Sequence, residues 1–212
     1  NGSISGAIVI NNGAQYATDT NVTLSLSASL AKAANAVTGM SFSEDGITWS
    51  EWEPFAESTS WTLSDGDGTK TVNVKFKDSA GNVSPTVSDS ITLDTTAPLT
   101  ESQAVSTHMN ATLAITLVGA DVTSSPATFT VTAGPTNGTL SGDAPALTYT
   151  PNSFFVGTDS FTYQVTDSAG NSAIGTVTIE VTNAAPVANA GLDQALLKGQ
   201  VVTLDGSASS DS

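Results

Sequence analysis

The feature that most constrains this chain is an internal repeat. The pentapeptide Asp-Ser-Ala-Gly-Asn occurs at residues 78–82 and again at 167–171. Each copy follows a segment in which apolar and polar residues alternate, at 72–76 and 161–165, and each precedes a second alternating segment. A period of two is typical of a half-buried strand, and a Gly-Asn turn between two such segments indicates a β-hairpin. The sequence therefore predicts the same hairpin twice.

The spacing of the two copies matches the size of a known architecture. An immunoglobulin-type sandwich contains about 100 residues and seven or more short strands. Charged residues make up only 12 % of the chain, and Thr and Ser fill many of the polar positions of its alternating segments. Thr is β-branched and suits a pleated surface. We therefore predict an all-β fold of tandem immunoglobulin-like β-sandwiches, at residues 1–96 and 97–185, with the truncated start of a third at 186–212.

The charge of the chain excludes several classes of partner. Its formal net charge is −15, from 20 acidic and 5 basic residues, and residues 98–186 contain no Lys or Arg. Such a surface repels phosphate backbones and anionic lipid headgroups, so we expect no nucleic-acid binding. No apolar run approaches the roughly 20 residues that span a membrane. We therefore expect no membrane insertion in this segment.

Residues suited to catalysis are scarce. His108 is the single histidine, and there is no cysteine. No Gly-x-Ser-x-Gly elbow or phosphate-binding glycine loop accompanies His108. The acidic residues are concentrated in turn sequences, where Asp stabilises the backbone by local hydrogen bonds. The sequence predicts that the chain is not an enzyme.

Several stretches resemble known families of surface modules. Residues 67–72 and 94–98 resemble bacterial Ig-like repeats, whose units close with a similar Asp-Thr-Thr-Ala-Pro. The motifs Tyr-Thr-Pro and Gly-Thr-Asp-Ser-Phe-Thr-Tyr within 149–163 are similar to cadherin-like tandem repeats of large bacterial surface proteins. Residues 186–191 and 202–207 resemble the start of a polycystic-kidney-disease repeat.

These resemblances imply an extracellular or cell-surface location in a bacterium. They imply a structural or adhesive module array, acting as a spacer, a stalk or a fibre subunit. The expected partners are neighbouring modules or further copies of the chain. The alternative is a carbohydrate-binding or accessory module of a secreted hydrolase, with surface glycans as the ligand. Such modules occur in both settings, so the resemblance alone leaves this choice open.

Cadherin linkers carry Asp and Asn just before an Ala-Pro pair, and two stretches of this chain match that arrangement. Asp94 precedes the first Ala-Pro pair, and Glu180 and Asn183 precede the second. The resemblance implies calcium at the module junctions, ligated by these three residues. Acidic, solvated turns are the alternative interpretation. The Asp-Gly-Asp-Gly at 65–68 lacks the later ligands of an EF-hand loop.

Four large aromatic residues lie close together in the first predicted sandwich. Trp49 is two residues from Ile47, and Trp61 is two residues from Leu63. Alternation therefore predicts that both tryptophan rings face the core. Trp52 and Phe55 lie outside a clear strand. We expect these two rings to be the more exposed members of the cluster. If the chain is a carbohydrate-binding module, they are the predicted contact residues for a glycan, and core packing is the other interpretation of the cluster.

The last segment of the chain supplies at most two strands. An isolated two-stranded hairpin is marginal in water. Three interpretations of residues 187–212 follow. The segment packs on the second sandwich, it pairs with a neighbouring copy by strand addition, or it is an incomplete domain. Strand addition from copy to copy is head-to-tail and would build a filament.

Overall fold

The computed structural model describes residues 3–31, 36–121, 123, 127–189, 195, 197–199, 201–203 and 205–210. The chain divides into two compact units. The first comprises Asn1–Pro98 with the segments Ala120–Thr128 and Thr166–Ser172, and the second comprises Leu99–Gly119, Phe129–Val165 and Ala173–Ser212. Apart from one 3-10 turn at Asn11–Gly13, every regular element of the described residues is a β-strand. This confirms the all-β prediction.

The first unit is a sandwich of two sheets. Its strands are β1 (Ile4–Ile10), β2 (Tyr16–Ala17), β3 (Asn21–Leu30), β4 (Val37–Ser43), β5 (Glu53–Pro54), β6 (Ser58–Thr62), β7 (Gly68–Asp78) and β8 (Val87–Leu93). One sheet has the order β1-β3-β6, and the other has the order β2-β8-β7-β4-β5. The antiparallel β7–β8 pair is the first of the two predicted hairpins.

The core of the first unit follows from strict alternation. In β7 the side chains of Val72, Val74 and Phe76 are fully buried, while the intervening residues point outward. Leu24 of β3 and Phe42 of β4 are equally buried, and all five belong to one apolar cluster shared by the two sheets. Burial of apolar side chains from both faces is what holds such a sandwich together.

The second unit has the same class of architecture. Its strands are β9 (Leu99–Thr100), β10 (Gln103–His108), β11 (Leu113–Thr116), β12 (Gly119–Ala120), β13 (Thr128–Ala133), β14 (Gly138–Ser141), β15 (Ala146–Pro151), β16 (Gly157–Thr166) and β17 (Ser172–Thr182). The sheets have the orders β10-β17-β16-β13, β11-β15-β14 and β12-β9. Strands β16 and β17 contain the alternating segments of the second predicted hairpin.

Two buried tyrosines organise the core of the second unit. Tyr163 has no exposed surface, and its hydroxyl lies 2.8 Å from the carbonyl of Val118. Its ring lies over Gly175, where an added Cβ would come within 2.5 Å of the ring. Tyr149 is also fully buried, and its hydroxyl donates to Asp159 Oδ2 at 2.9 Å. Each polar tip is therefore satisfied inside an apolar core.

The segment after β17 contains one isolated bridge. Val187 and Ser210 exchange two backbone hydrogen bonds, of 2.8 and 3.0 Å. Parts of the last segment, for which the sequence predicts at most two strands, lie outside the described residues. The domain boundaries inferred from the sequence stay a prediction.

Candidate metal centre

Three acidic side chains of the first unit converge on one point. Asp94, Asp121 and Asp167 each offer one carboxylate oxygen, and these oxygens lie within 4.8 Å of one another. Each comes from a different one of the three chain segments that form this unit. Within the described part of the chain, this is the one group of three or more potential metal-binding side chains of this kind.

Asp94 is the most constrained member of the group. It follows β8 directly, is fully buried, and its backbone N–H donates to the carbonyl of Ala17 at 2.9 Å. Its Oδ1 accepts a hydrogen bond from Thr96 N at 3.2 Å. Its Oδ2 is buried and has no hydrogen-bond partner among the described residues. A buried carboxylate oxygen without a partner is costly, and a bound cation would offset that cost.

The chain after Asp94 is fixed by a second acidic residue. Asp67 Oδ1 accepts hydrogen bonds from the N–H of Thr95 at 2.9 Å and from its hydroxyl at 2.8 Å. The Thr96 hydroxyl donates to Asp67 Oδ2. The bond from Thr96, followed by that from Thr95 N, holds the pKa of Asp67 below its usual range. Asp67 therefore stays ionised and keeps the segment in place beside the carboxylate cluster.

Asp167 is held by its own turn. It is 6 % exposed, and its Oδ1 accepts from Gly170 N at 2.7 Å and from Asn171 N at 2.9 Å. The Asn171 side chain donates both to Asp167 Oδ2 at 3.1 Å and to the backbone carbonyl of Asp94 at 2.9 Å. Asn171 thus ties the turn to the segment that carries Asp94. Two of the three carboxylates are therefore placed by a shared hydrogen-bond network.

Asp121 completes the group and is half-buried. Its Oδ2 accepts a hydrogen bond from Thr123 N at 2.7 Å. Carboxylate charges within 4.8 Å of one another repel by roughly 3 kcal/mol per pair at an effective dielectric constant of about 20. No Lys or Arg occurs anywhere between residues 78 and 197. All three carboxylates lie within this lysine-free range of the sequence.

The geometry suits a calcium ion better than other common metals. Calcium binds oxygen at about 2.3–2.6 Å, so two ligands of one ion are separated by at most about 5 Å. The observed separations, within 4.8 Å, meet this limit. Magnesium requires ligands at about 2.0–2.1 Å in near-octahedral geometry, and zinc prefers nitrogen and sulfur. Three carboxylates in a chain without cysteine therefore fit calcium, which takes oxygen ligands, unlike zinc, and is larger than magnesium.

The residues predicted to bind calcium are only partly in this group. Asp94 is a member. Glu180 is exposed and accepts a hydrogen bond from the Thr158 hydroxyl at 2.9 Å, and Asn183 is exposed just after β17. Sequence reasoning missed Asp121 and interpreted Asp167 only as a turn residue. One sequence feature distinguishes Asp167 from Asp78. No lysine lies near Asp167 in sequence, whereas Lys77 directly precedes the first copy of the turn.

The aromatic residues are placed differently from expectation. Trp61 packs against the core while staying partly exposed, but Trp49 is not part of the core cluster, and Ile47 is 83 % exposed. The prediction that Trp49 faces the core through strand alternation is therefore wrong. Residues 44–48 form bends, because Asp45 Oδ1 accepts the N–H groups of Ile47 and Thr48, at 2.8 and 2.7 Å.

The two predicted glycan-contact residues have different environments. Trp52 is 39 % exposed, with Lys77 Nζ 4.6 Å from its ring centroid. Phe55 is half-buried instead of exposed, and its ring meets Phe76 edge-on at 5.8 Å. Its N–H donates to Thr38 O at 3.1 Å, which extends the β4–β5 pairing and turns the ring inward. A glycan contact at Trp52 and Phe55 stays a prediction.

His108 is exposed at the end of β10. Its Nδ1 lies 3.0 Å from the Thr182 hydroxyl. Among the described residues no helix is long and apolar enough to cross a membrane.

Comparison with known families identifies one module type. Residues 94–180 match the family model of the bacterial Ig domain. This range includes Asp94, Asp121 and Asp167. It supports the immunoglobulin-like assignment, while the cadherin-like and polycystic-kidney-disease resemblances stay predictions. No curated protein sequence matches the chain.

Solved structures with a similar fold include modules from several organisms. Fibronectin(III)-like modules of Clostridium thermocellum CbhA share 17 % identity, with a TM-score of 0.42, covering 82 % of this chain and 94 % of that one. A 1.5-MDa bacterial ice-binding adhesin shares 20 % identity, with a TM-score of 0.43 and coverages of 85 % and 65 %. Drosophila N-cadherin EC1-3 shares 14 % identity, with a TM-score of 0.35 and coverages of 84 % and 67 %. At these values the similarities imply nothing about function.

Proposed function

We propose that this chain is a non-catalytic structural module array of a bacterial extracellular or cell-surface protein, and that its first unit binds one calcium ion. Asp94, Asp121 and Asp167 supply the carboxylate ligands. The observation that carries the calcium proposal is the buried Oδ2 of Asp94, which has no hydrogen-bond partner among the described residues and belongs to a group of three carboxylates. The match of residues 94–180 to the bacterial Ig domain supports the assignment to a surface module.

The role of the ion is to hold distant parts of the chain together. Asp94, Asp121 and Asp167 belong to three separate segments of the first unit. An ion bound to all three binds the folded unit and not the unfolded chain, so it raises the free energy of unfolding by mass action. Extracellular calcium modules commonly have dissociation constants of about 10⁻⁴–10⁻³ M. The module is therefore stable where calcium is abundant, as outside a cell.

This stability suits a spacer, a stalk or a fibre subunit. Antiparallel ladders such as β7–β8 and β1–β3 keep the first sandwich folded. Neighbouring modules and further copies of the chain are the proposed partners. Carbohydrate binding is a second candidate function, favoured by a cleft in the first unit whose lining includes Trp49 and Trp61.

Thermal unfolding of the 212-residue chain tests the calcium proposal. We expect a higher Tm for the first unit in about 10 mM calcium than in chelator, by several degrees, because ligand at roughly 10 to 100 times Kd stabilises by about 1.4–2.7 kcal/mol. Magnesium at the same concentration should give a smaller shift. Asp94→Asn and Asp167→Asn should abolish the calcium shift.

Asp78→Asn is the matched control for Asp167→Asn. It changes the same residue of the same pentapeptide at the copy that lacks the other two carboxylates. We expect it to keep the full calcium shift. Equal Tm values in calcium and in chelator for the unsubstituted chain would contradict the proposal.

A further inference from the structure

The first unit carries an open cleft beside the loop that follows β4. Its volume is about 520 Å³, within the range of small-ligand sites. Its lining includes Phe42, Glu44, Asp45, Trp49, Ser50 and Trp61. The lining therefore contains two indole rings and two carboxylates.

The Trp49 wall is positioned by a lysine on the neighbouring strand. Lys75 lies on β7, opposite Ser41 of β4, and its Nζ is 3.8 Å from the centroid of the Trp49 ring. This cation–π contact fixes the indole. It also means that the attraction of the Trp49 ring for a cation is already satisfied by the protein.

The Trp61 wall is held from two sides. Its Nε1 donates to Glu44 Oε1 at 3.2 Å, and its ring centroid lies 5.4 Å from that of Phe42. Glu44 also accepts from the N–H of Ser64, at 3.0 Å to Oε1. The carboxylate therefore joins the indole to the chain that follows β6.

The loop between these walls is tied to β4. Asp45 Oδ1 accepts from the Ser43 hydroxyl at 2.9 Å, in addition to two backbone N–H groups. Ser50 N donates to Phe42 O at 2.8 Å, and the Ser41 hydroxyl donates to Ser50 O at 2.8 Å. A site with walls that are already fixed loses little conformational entropy on binding.

We infer that this cleft binds a neutral saccharide. Lys75 covers one face of the Trp49 indole, so a sugar ring packs its apolar C–H face on the other face of Trp49 or on Trp61, because aromatic faces carry negative partial charge. Glu44 and Asp45 accept hydrogen bonds from sugar hydroxyls and repel anionic ligands. The Lys75 ammonium repels cationic ligands. An uncharged polyhydroxylated ring meets all of these conditions, and the inference does not depend on the calcium site.

A nearby Trp–Lys pair provides an internal control. Lys77 crosses β4 at Gly39, where an added Cβ would lie 2.9 Å from Lys77 Cε, and its Nζ reaches the ring of Trp52. Trp52 is thus held by the same kind of contact as Trp49. Trp52 is exposed and does not line the cleft. Replacing either indole removes one Trp–Lys contact, but only the replacement of Trp49 removes a wall of the cleft.

The experiment is a titration of the full chain with neutral glycans. An array of uncharged oligosaccharides identifies a ligand, and isothermal titration with that ligand measures Kd in calcium and in chelator. We expect saturable binding, weakened at least tenfold by Trp49→Ala. The exposed Trp52 ring is the rival glycan contact suggested by the sequence, and binding in the cleft predicts a change of less than twofold for Trp52→Ala. Trp61→Phe should weaken binding while preserving the ring contact with Phe42. Urea unfolding of each variant separates lost binding from lost folding.

Several results would overturn the inference. One is the absence of saturable binding to any uncharged glycan. Another is binding that depends on Trp52 and not on Trp49, which would favour the exposed ring instead of the cleft. A third is selective binding of choline or of an oligogalacturonate, which would assign the cleft to a charged ligand. Binding in calcium and in chelator alike leaves the calcium proposal to its own test.

Discussion

The turns at residues 78–82 and 167–171 have the same sequence and nearly the same hydrogen bonds. In the first, Asp78 Oδ1 accepts from Asn82 N at 2.9 Å and Oδ2 accepts from the Asn82 side chain at 2.8 Å. In the second, the corresponding distances between Asp167 and Asn171 are 2.9 and 3.1 Å. Each turn places its glycine at a positive φ, of 86° and 102°, which few other residues adopt readily. The two turns are locally equivalent.

They differ in what the rest of the chain brings to them. Asp167 meets two further carboxylates, and Asn171 makes an additional bond to the backbone of Asp94. Asp78 is not part of such a group among the described residues, and Lys77 directly precedes it. A turn sequence therefore encodes its own shape, while its capacity to bind a metal depends on residues far away in sequence.

The largest effect is expected from Asp78→Ala. The residue is 2 % exposed, and its removal leaves the N–H groups of Ala80 and Asn82 and the Asn82 amide without their acceptor. We expect the first unit to lose roughly 3 kcal/mol of unfolding free energy. Urea unfolding should show this loss equally in calcium and in chelator. A loss that appears only in calcium would contradict the purely structural role of this copy.

Asp94→Asn should act in opposite directions under the two conditions. In chelator it removes a buried charge and two repulsive pairs, so we expect the first unit to gain about 1 kcal/mol. In calcium it removes a ligand, so the variant should be less stable than the unsubstituted chain. The same urea titrations measure both signs. Destabilisation of equal size in both conditions would indicate that Asp94 is a structural residue alone.

The comparison also separates what the sequence predicts from what it does not. Alternation located the buried residues of β7 and β16, and the repeat located both hairpins, because period-two patterns and turn residues are local properties. The bend over residues 47 and 48 was missed because the Asp45 carboxylate captures two N–H groups that a strand would use. Asp121 carried no signal, since its role depends on approaching Asp94 and Asp167 in space. Asp94 was found through a resemblance to cadherin linkers and not through its burial.

Replacing the asparagine of each turn sharpens the contrast. Asn171→Ala removes one donor to Asp167 and the donor to the Asp94 carbonyl. Groups that orient metal ligands typically contribute about 10- to 100-fold in affinity, so we expect calcium binding to weaken by roughly tenfold. Asn82→Ala should cost about 1 kcal/mol in stability without changing calcium affinity. Titration of both variants with calcium distinguishes them, and equal affinities would contradict the positioning role of Asn171.

The smallest expected effect is on the pH dependence of stability and concerns Asp159 in the second unit. This buried carboxylate has hydrogen-bonded oxygens. Burial alone would raise its pKa, but hydrogen bonds from Tyr149, Thr136 N, Ser160 N and Asn137 N outweigh burial and hold the pKa below the ordinary 3.8. Because the pKa of Asp159 is lower in the folded state than in the unfolded chain, its ionisation stabilises the fold at pH values above the unfolded pKa. This contribution is lost as the pH falls through the folded-state pKa. We therefore expect the second unit to weaken modestly below about pH 4.

Asp159→Asn is the control for this pH dependence. The variant cannot ionise at this position, so its unfolding free energy should fall less steeply between pH 5 and pH 2 than that of the unsubstituted chain. Urea unfolding of both proteins at intervals of about half a pH unit measures this slope. Identical slopes for the variant and the unsubstituted chain would show that Asp159 does not contribute to acid sensitivity.

Calcium binding measured by isothermal titration calorimetry tests the central claim most directly. The unsubstituted chain, Asp94→Asn, Asp167→Asn and Asp78→Asn are titrated after removal of metal by a chelator. The account predicts a saturable calcium site with a Kd of about 10⁻⁴–10⁻³ M in the unsubstituted chain and in Asp78→Asn. It predicts that this site is lost in Asp94→Asn and in Asp167→Asn. No calcium binding by the unsubstituted chain, or the same binding in all four proteins, would contradict it.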